Sequence, residues 1–339
     1  MRSCSGKSEK VKVRILREPE IRELLSFKET IQVVERCFAE FSSGKAVVPG
    51  VINLDIERYL GEIHVKSAYI QQDKHYVIKI ASGFYQNPSR GLPVGNGLML
   101  LFEAQTGLLE CLMFDNGFIT EMRTAAAGAV AAKYLAKEKV RRVGLVGSGS
   151  QARFQLKALM EVRRPEEVWV WSRHPDHVKN YIAEMTPLFP RMRFHRARDC
   201  EEAVRGSDLV ITVTPSRSPL VRAAWLAEGA HITAVGSDGP EKQELDVEVL
   251  MRANRVYCDS LVQCARIGEI HHGLEENAVP EENVTGELGE IILGRKSGRT
   301  NDQEITVADL TGLGVQDAAA ASLVYEKALS RGLGSFLDI

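Results

Sequence analysis

The residues Val143-Gly144-Leu145-Val146-Gly147-Ser148-Gly149-Ser150-Gln151-Ala152 join an apolar run to a Gly-x-Gly-x-x-Ala spacing. Glycine at the first position permits a tight turn. At the second it lets backbone approach a pyrophosphate, and alanine at the third lets helix and strand pack closely. Phosphates would then meet the free N–H groups and the positive dipole end of the helix that follows. The spacing alone is weak. Here it follows an apolar strand and opens a helix, and a second apolar strand ends about 25 residues later, the context in which it binds a dinucleotide. The alternative is a glycine-rich turn without a ligand. Assigned to the cofactor are Gly147, Ser148, Gly149, Ser150, Gln151 and Ala152 in the loop, Ser172 and Arg173 at the end of the second strand, and Thr212, Val213, Thr214 and Val235 at later strand ends. An NAD site usually ends its second strand with a carboxylate for the ribose 2′-OH. This chain has Trp171-Ser172-Arg173-His174, and Arg173 can pair with a 2′-phosphate. The reading leans to NADP(H) over NAD(H); otherwise Arg173 stacks on the adenine or lies in solvent.

Three further residues are candidates for acid–base and carboxylate chemistry. Ligands of open α/β sheets bind beyond the carboxyl ends of the strands. Ala234-Val235-Gly236-Ser237-Asp238 closes one such strand. That sets Asp238 near a nicotinamide, partly shielded from water, where a carboxyl with a raised pKa moves protons at neutral pH. The alternative is a turn aspartate capping the segment 240–250. Lys79 stands between Val77 and Ala81 on one strand face, and either snorkels outward or faces a polar cavity. Arg123 opens an Ala-rich helix and either faces a cleft between domains or makes a structural salt bridge. His271-His272 beside Glu269 suggests a metal at first sight, but a surface pair on a helix is preferred and no metal is expected.

These residues need a scaffold. At ~100–200 residues per domain, 339 residues suggest two domains. A net charge of −2 gives no reason to expect nucleic acid or an anionic membrane as partner. The six cysteines form no Cys-x-x-Cys pair and read as reduced core thiols, placing the chain in the cytoplasm. Met1 to Lys10 is polar, carries no secretory signal and reads as a loose tail. No run approaches the ~18 apolar residues of a membrane span.

Ser26-Phe27-Lys28-Glu29 fits a capping box, and Ile31, Val34, Phe38 and Phe41 recur at helical spacing, predicting a helix over 27–43. Period-two alternation follows around 63–67 and 76–80, then a loop at 87–93 and a hairpin of 98–103 with 108–114. Residues 124–132 are a small-residue helix bridging the domains. Strands and helices then alternate: 142–146, a helix from 151, 168–171, a helix from 176, then 209–214, 231–235 and 255–258. This order predicts right-handed crossovers and a Rossmann-type doubly wound parallel sheet, an α/β fold. One more helix spans 315–331.

Together these residues resemble the ornithine cyclodeaminase/mu-crystallin family over nearly the whole chain. The match carries the Lys79 strand, Arg123-Thr124-Ala125-Ala126, the Gly147–Ala152 loop, Thr212-Val213-Thr214, Asp238 with Glu244-Leu245, and Asp309-Leu310-Thr311-Gly312-Leu313-Gly314-Val315-Gln316-Asp317. The stretch Gly91-Leu92-Pro93-x-x-Asn96-Gly97-Leu98-Met99, with Asp115-Asn116-Gly117, looks most like the branch associated with ectoine utilisation. The resemblance implies an α+β substrate and dimerisation domain, residues 1–123 with 315–339, and a nucleotide-binding domain, 124–314. It implies a homodimer, Lys79 and Arg123 as a carboxylate clamp, and Asp238 as the proton-handling group at the amine or imine. Lys242 matches a further family lysine, given a secondary role. The family commonly has an arginine after a proline where this chain reads Val48-Pro49-Gly50-Val51-Ile52-Asn53, with none before Arg58. Lys66 is the suggested substitute, and the departure calls ornithine itself into question. The implied activity is that of a cyclodeaminase-like oxidoreductase at the Cα–N bond of a small amino acid or cyclic imine. Imine reduction or amino-acid dehydrogenation is the alternative, and a crystallin-like binding protein the non-enzymatic rival.

Overall fold

Period-two alternation in the first third of the chain builds a meander. The computed structural model describes residues 12–339, so the tail expected at Met1 to Lys10 lies outside the described residues. One compact unit comprises 12–25, 47–119 and 317–339. Its strands Gly61–Ile70, His75–Phe84, Gly95–Glu103 and Leu109–Phe114 pair antiparallel in sequence order. The edges were not anticipated. Lys12–Arg17 lies parallel to Leu109–Phe114, and Ser335–Asp338 pairs antiparallel with it. Register puts Lys66 opposite Lys79, Lys79 opposite Met99 and Met99 opposite Met113. Opposed residues share a face, and all four are buried. Two lysines therefore stand in a row that the pattern otherwise gives to the core.

The second unit comprises 26–46 and 120–316. Its main sheet has eight strands, all parallel, in the order Arg193–Arg196, Glu167–Trp171, Arg142–Val146, Leu209–Thr212, His231–Ala234, Thr306–Asp309, Arg255–Cys258 and Gly286–Glu287. From Arg142–Val146 the chain winds one way through Glu167–Trp171, then returns to the other side at Leu209–Thr212. That reversal is the topological switch point where such sheets open a crevice. Thr306–Asp309, a four-residue strand inside the sheet, carries no periodicity in its short span, and only its last residue, Asp309, stands in a motif that the sequence reading singles out. The small-residue helix is longer than its alanines suggest. It runs Phe118–Leu135, because Asp115 accepts the Ile119 N–H at 2.8 Å and the turn Asn116-Gly117 takes positive φ values of 51° and 85°.

Residues 26–46, which the sequence groups with the first unit, cluster with the second. The helix Phe27–Ser42 packs against Leu288–Ile292 at Gly289, where a Cβ would fall 2.1 Å from the Phe38 carbonyl oxygen. Glu35 accepts from Lys133 at 2.7 Å, and Phe27 meets Phe154 edge to face.

Four carboxyls are buried at the carboxyl ends of the parallel strands: Glu244, Glu269, Asp259 and Asp309, each at most 1% exposed. Each binds backbone. Glu269 accepts the Glu244 and Leu245 N–H groups at 2.8 and 3.0 Å. Asp309 accepts the Ile270 N–H at 2.9 Å, and Asp259 that of Gly312 at 2.6 Å. Burial pushes Glu244 and Asp309 each up to about 7, with the Asp259 charge adding to the rise at Asp309. Burial first, then the charges of Asp309 and Glu244, holds Glu269 well above the usual carboxylate range. A carboxyl whose pKa is raised on folding binds its proton more tightly in the native state. Its contribution to stability is full below the unfolded pKa and is lost as pH rises through the folded value. Urea titrations of the native chain should therefore show stability falling between the ordinary carboxylate range and about pH 7, by up to ~1.4 kcal/mol per pH unit for each such group. Asp309→Asn should flatten that slope, and parallel slopes for the two proteins would contradict the assignment.

Candidate active site

The glycine loop sits at the switch point and is shaped by its neighbours. Gly147 has φ 115°, and a Cβ there would lie 2.9 Å from both Val213 Cγ2 and the Val213 carbonyl oxygen. Only glycine meets both demands. Its N–H donates to the Trp171 carbonyl at 2.8 Å, and Val213 N–H donates to Val146. Gly149 caps the helix Ser150–Leu159, and a Cβ there would have no atom within 4 Å. Backbone N–H groups at a helix start, beside open space over the second glycine, fit a pyrophosphate. Ala152 is fully buried, as close helix–strand packing requires. Ser148 Oγ donates to Ser172 Oγ at 2.9 Å, which donates to the His174 carbonyl, tying the loop to the end of the second strand. Arg173 beside them is exposed. Gln151 donates to the Glu121 carbonyl at 3.2 Å and to its carboxylate, so its side chain braces the neighbouring helix.

Arg123 and Asp238 belong to the same unit. Arg123 is 5% exposed, and its Nη1 donates to Gln316 Oε1 at 3.0 Å. It lies against Gly312 (φ 80°), where a Cβ would fall 2.6 Å from Nη1. Val235 is buried just beyond the strand His231–Ala234, and Asp238 follows it. The Asp238 side chain is 42% exposed, and Lys242 donates to its Oδ1 at 2.7 Å. Asp238 does not cap the next helix. That helix, Val247–Arg252, is capped by Asp246, which accepts the Glu248 N–H at 3.1 Å. His271, His272 and Glu275 bring donor atoms within 4.8 Å of one another on the helix Glu269–Glu275. His271 Nδ1 also meets the Ala265 carbonyl at 3.3 Å, and His272 Nε2 the Lys242 carbonyl at 2.8 Å.

Lys79 and Lys66 belong to the first unit. Lys79 is 2% exposed, so it does not snorkel outward. Asp317, itself 1% exposed, holds its Nζ at 3.1 Å. Lys66, directly opposite, is 9% exposed. Burial, with the Asp317 charge adding to it, raises the pKa of Asp115 nearby. The sequence reading missed Asp317 as the partner of Lys79. It also missed the four buried carboxyls, although Glu244, Asp309 and Asp317 all stood inside motifs it singled out.

Three proteins of known name frame this geometry. An uncharacterized cyclodeaminase of Sinorhizobium fredii is 41% identical over 329 residues, covering 96% of this chain and 99% of its own. An archaeal alanine dehydrogenase, solved as a dimer with bound NAD, is 37% identical with a TM-score of 0.90, covering 97% of this chain and 100% of its own. Thermococcus litoralis Δ1-pyrroline-2-carboxylate reductase, solved with NADH and L-proline, is 36% identical with a TM-score of 0.91, covering 95% and 99%. Residues 11–332 match the family model described as the ornithine cyclodeaminase/mu-crystallin family. With its parallel sheet, glycine cradle and near-complete coverage by these relatives, the chain belongs to the ornithine cyclodeaminase/mu-crystallin family.

Proposed function

We propose that this chain interconverts a small amino acid and its imine, using a nicotinamide dinucleotide held on Gly147–Ala152. The observation that carries the reading is the buried Lys79 ammonium group, held by Asp317 at 3.1 Å in a row the fold would otherwise fill with apolar side chains. A lysine so placed costs stability, which a role in binding an anion accounts for. Lys79 and Arg123 hold the substrate carboxylate. Asp317 orients the first and Gln316 the second, and these two partners are consecutive in the chain. Asp238 carries the proton to or from the substrate nitrogen, with Lys242 holding its Oδ1. The dinucleotide, when bound, accepts or supplies the hydride at Cα. Fixing the substrate by its carboxylate contributes up to ~7–11 kcal/mol toward the barrier. Net dehydrogenation or imine reduction is the first reading, from the relatives solved at 36–37% identity. Cyclodeamination is the second, favoured by the name of the 41% identical relative. The dehydrogenase and reductase relatives set aside a binding protein without turnover.

The cofactor reading is NAD(H), which both solved relatives hold. An exposed Arg173 with no carboxylate at the end of the second strand keeps NADP(H) as the second reading. The ectoine-utilisation branch rests on Gly91–Met99 and Asp115–Gly117 alone. A homodimer is proposed from the dimeric relative and from apolar side chains left exposed on the first unit, among them Ile52 (65%), Leu54 (56%) and Leu60 (57%).

Absorbance at 340 nm with a panel of amino acids and cyclic imines separates the activities. Net change with NADH is expected. Ammonia release without net change would move the assignment to cyclodeamination, and a stronger response to NADPH would restore Arg173 as a phosphate ligand. Lys79→Met and Asp238→Asn should each lower kcat/KM at least ~100-fold while leaving NADH affinity within about threefold, since the roles proposed for both are toward the amino acid. Lys66→Ala should raise KM for the amino acid, and an unchanged KM removes Lys66 from the site. Light scattering should give twice the 37.5 kDa chain mass, and a monomeric mass would refute the dimer.

A further inference from the structure

We propose that Glu244 is a positioning residue that locks the loop after Leu209–Thr212 to the loop after His231–Ala234, and thereby sets Asp238 against the nucleotide cradle. The proposal rests on the roles given above to Asp238 and to Gly147–Ala152. Glu244 is fully buried in the short strand Gln243–Leu245, and both carboxylate oxygens are engaged. Oε1 accepts the Thr214 N–H at 2.5 Å and the Thr214 hydroxyl at 2.7 Å. Oε2 accepts the Gly236 N–H at 2.8 Å. A Cβ on Gly236 would lie 2.2 Å from the Thr214 carbonyl oxygen and 2.6 Å from Glu244 Oε2. Glycine at 236 is what lets the two loops close on the carboxylate. Val213, one residue before Thr214, abuts Gly147, and Asp238 stands two residues beyond Gly236. Glu244 is itself held, its N–H donating to Glu269 at 2.8 Å. One carboxylate thus ties the cradle side of the sheet to the Asp238 side. A buried charge is a poor device for stability alone, because a well-packed apolar group of similar volume is often as stable. It is a good device for fixing two backbone segments at one distance, because each N–H dictates where an oxygen must be.

Glu244→Gln keeps the shape but sets an amide donor against either the Thr214 or the Gly236 N–H. In the nucleotide-free protein, amide hydrogen exchange should rise at least about tenfold in residues 212–216 and 234–238 together, with the rest of the unit unchanged. The kcat should fall at least about tenfold with KM for the amino acid nearly constant. NADH affinity should weaken by less than kcat falls, since the hydrogen bonds of Glu244 go to Thr214, one of the residues assigned to the cofactor, and to Gly236 rather than to Gly147–Ala152. Thr214→Val, which removes the hydroxyl that donates to Glu244 and accepts the Ser216 N–H while keeping the carboxylate, should shift both readouts the same way by a smaller factor and serves if the glutamine variant does not fold. Exchange rising evenly across the unit, exchange rising in only one loop, or kcat within about twofold of the native enzyme would overturn the proposal. Failure of the native chain to bind NADH would instead overturn the functional reading, and the exchange pattern would still decide the coupling of the loops.

Discussion

Charge taken out of water is the constraint to which the rest of this molecule answers. A buried ammonium or carboxylate survives only where a partner repays part of its lost hydration. Lys79, 2% exposed, has Asp317; Arg123 has Gln316; Glu244 has two loops. Each partner restricts the side chain to one orientation, so the cost of burial and the precision of placement are one fact. An exposed Lys79 on the same strand would have many rotamers and no fixed direction.

The parallel sheet contributes the same discipline through backbone. The winding reverses between Arg142–Val146 and Leu209–Thr212, and the crevice there receives Gly147 on one side and Val213 on the other. Loops at strand ends are ordinarily the mobile part of such folds. Here Glu244, Glu269, Asp309 and Asp259 accept their N–H groups from within the core. The loops proposed to carry chemistry are thus braced from beneath by buried carboxyls, and burial raises the pKa values of Glu244, Glu269 and Asp309.

Much of this was legible in the residues, and the failures have physical causes. The strand Arg142–Val146 and the glycine loop were readable because turn, close approach and helix start each demand a residue type at a fixed spacing. Lys79 was readable as an anomaly, a charge among apolar neighbours, but its direction was not, since a strand pattern does not say which face is buried. Register decided it, and register is a long-range property. Thr306–Asp309 escaped because four residues carry too little periodicity, though they lie inside the sheet. Asp317 and Glu244 were noticed as motif members without a role, because their partners are distant in sequence. Asp238 follows its strand as the residues suggested, with 42% of its side chain exposed beside Lys242.

The central claim is that Lys79 and Arg123 serve one substrate carboxylate while Asp238 serves its nitrogen. The most direct measurement is a crystal structure with NADH and the best amino acid from the panel. The account predicts the carboxylate within hydrogen-bond distance of both basic side chains, the nitrogen beside Asp238, and Cα in contact with the nicotinamide ring. A substrate seated with its carboxylate on other residues, or Lys79 still turned wholly to Asp317 with no ligand atom near it, would contradict it.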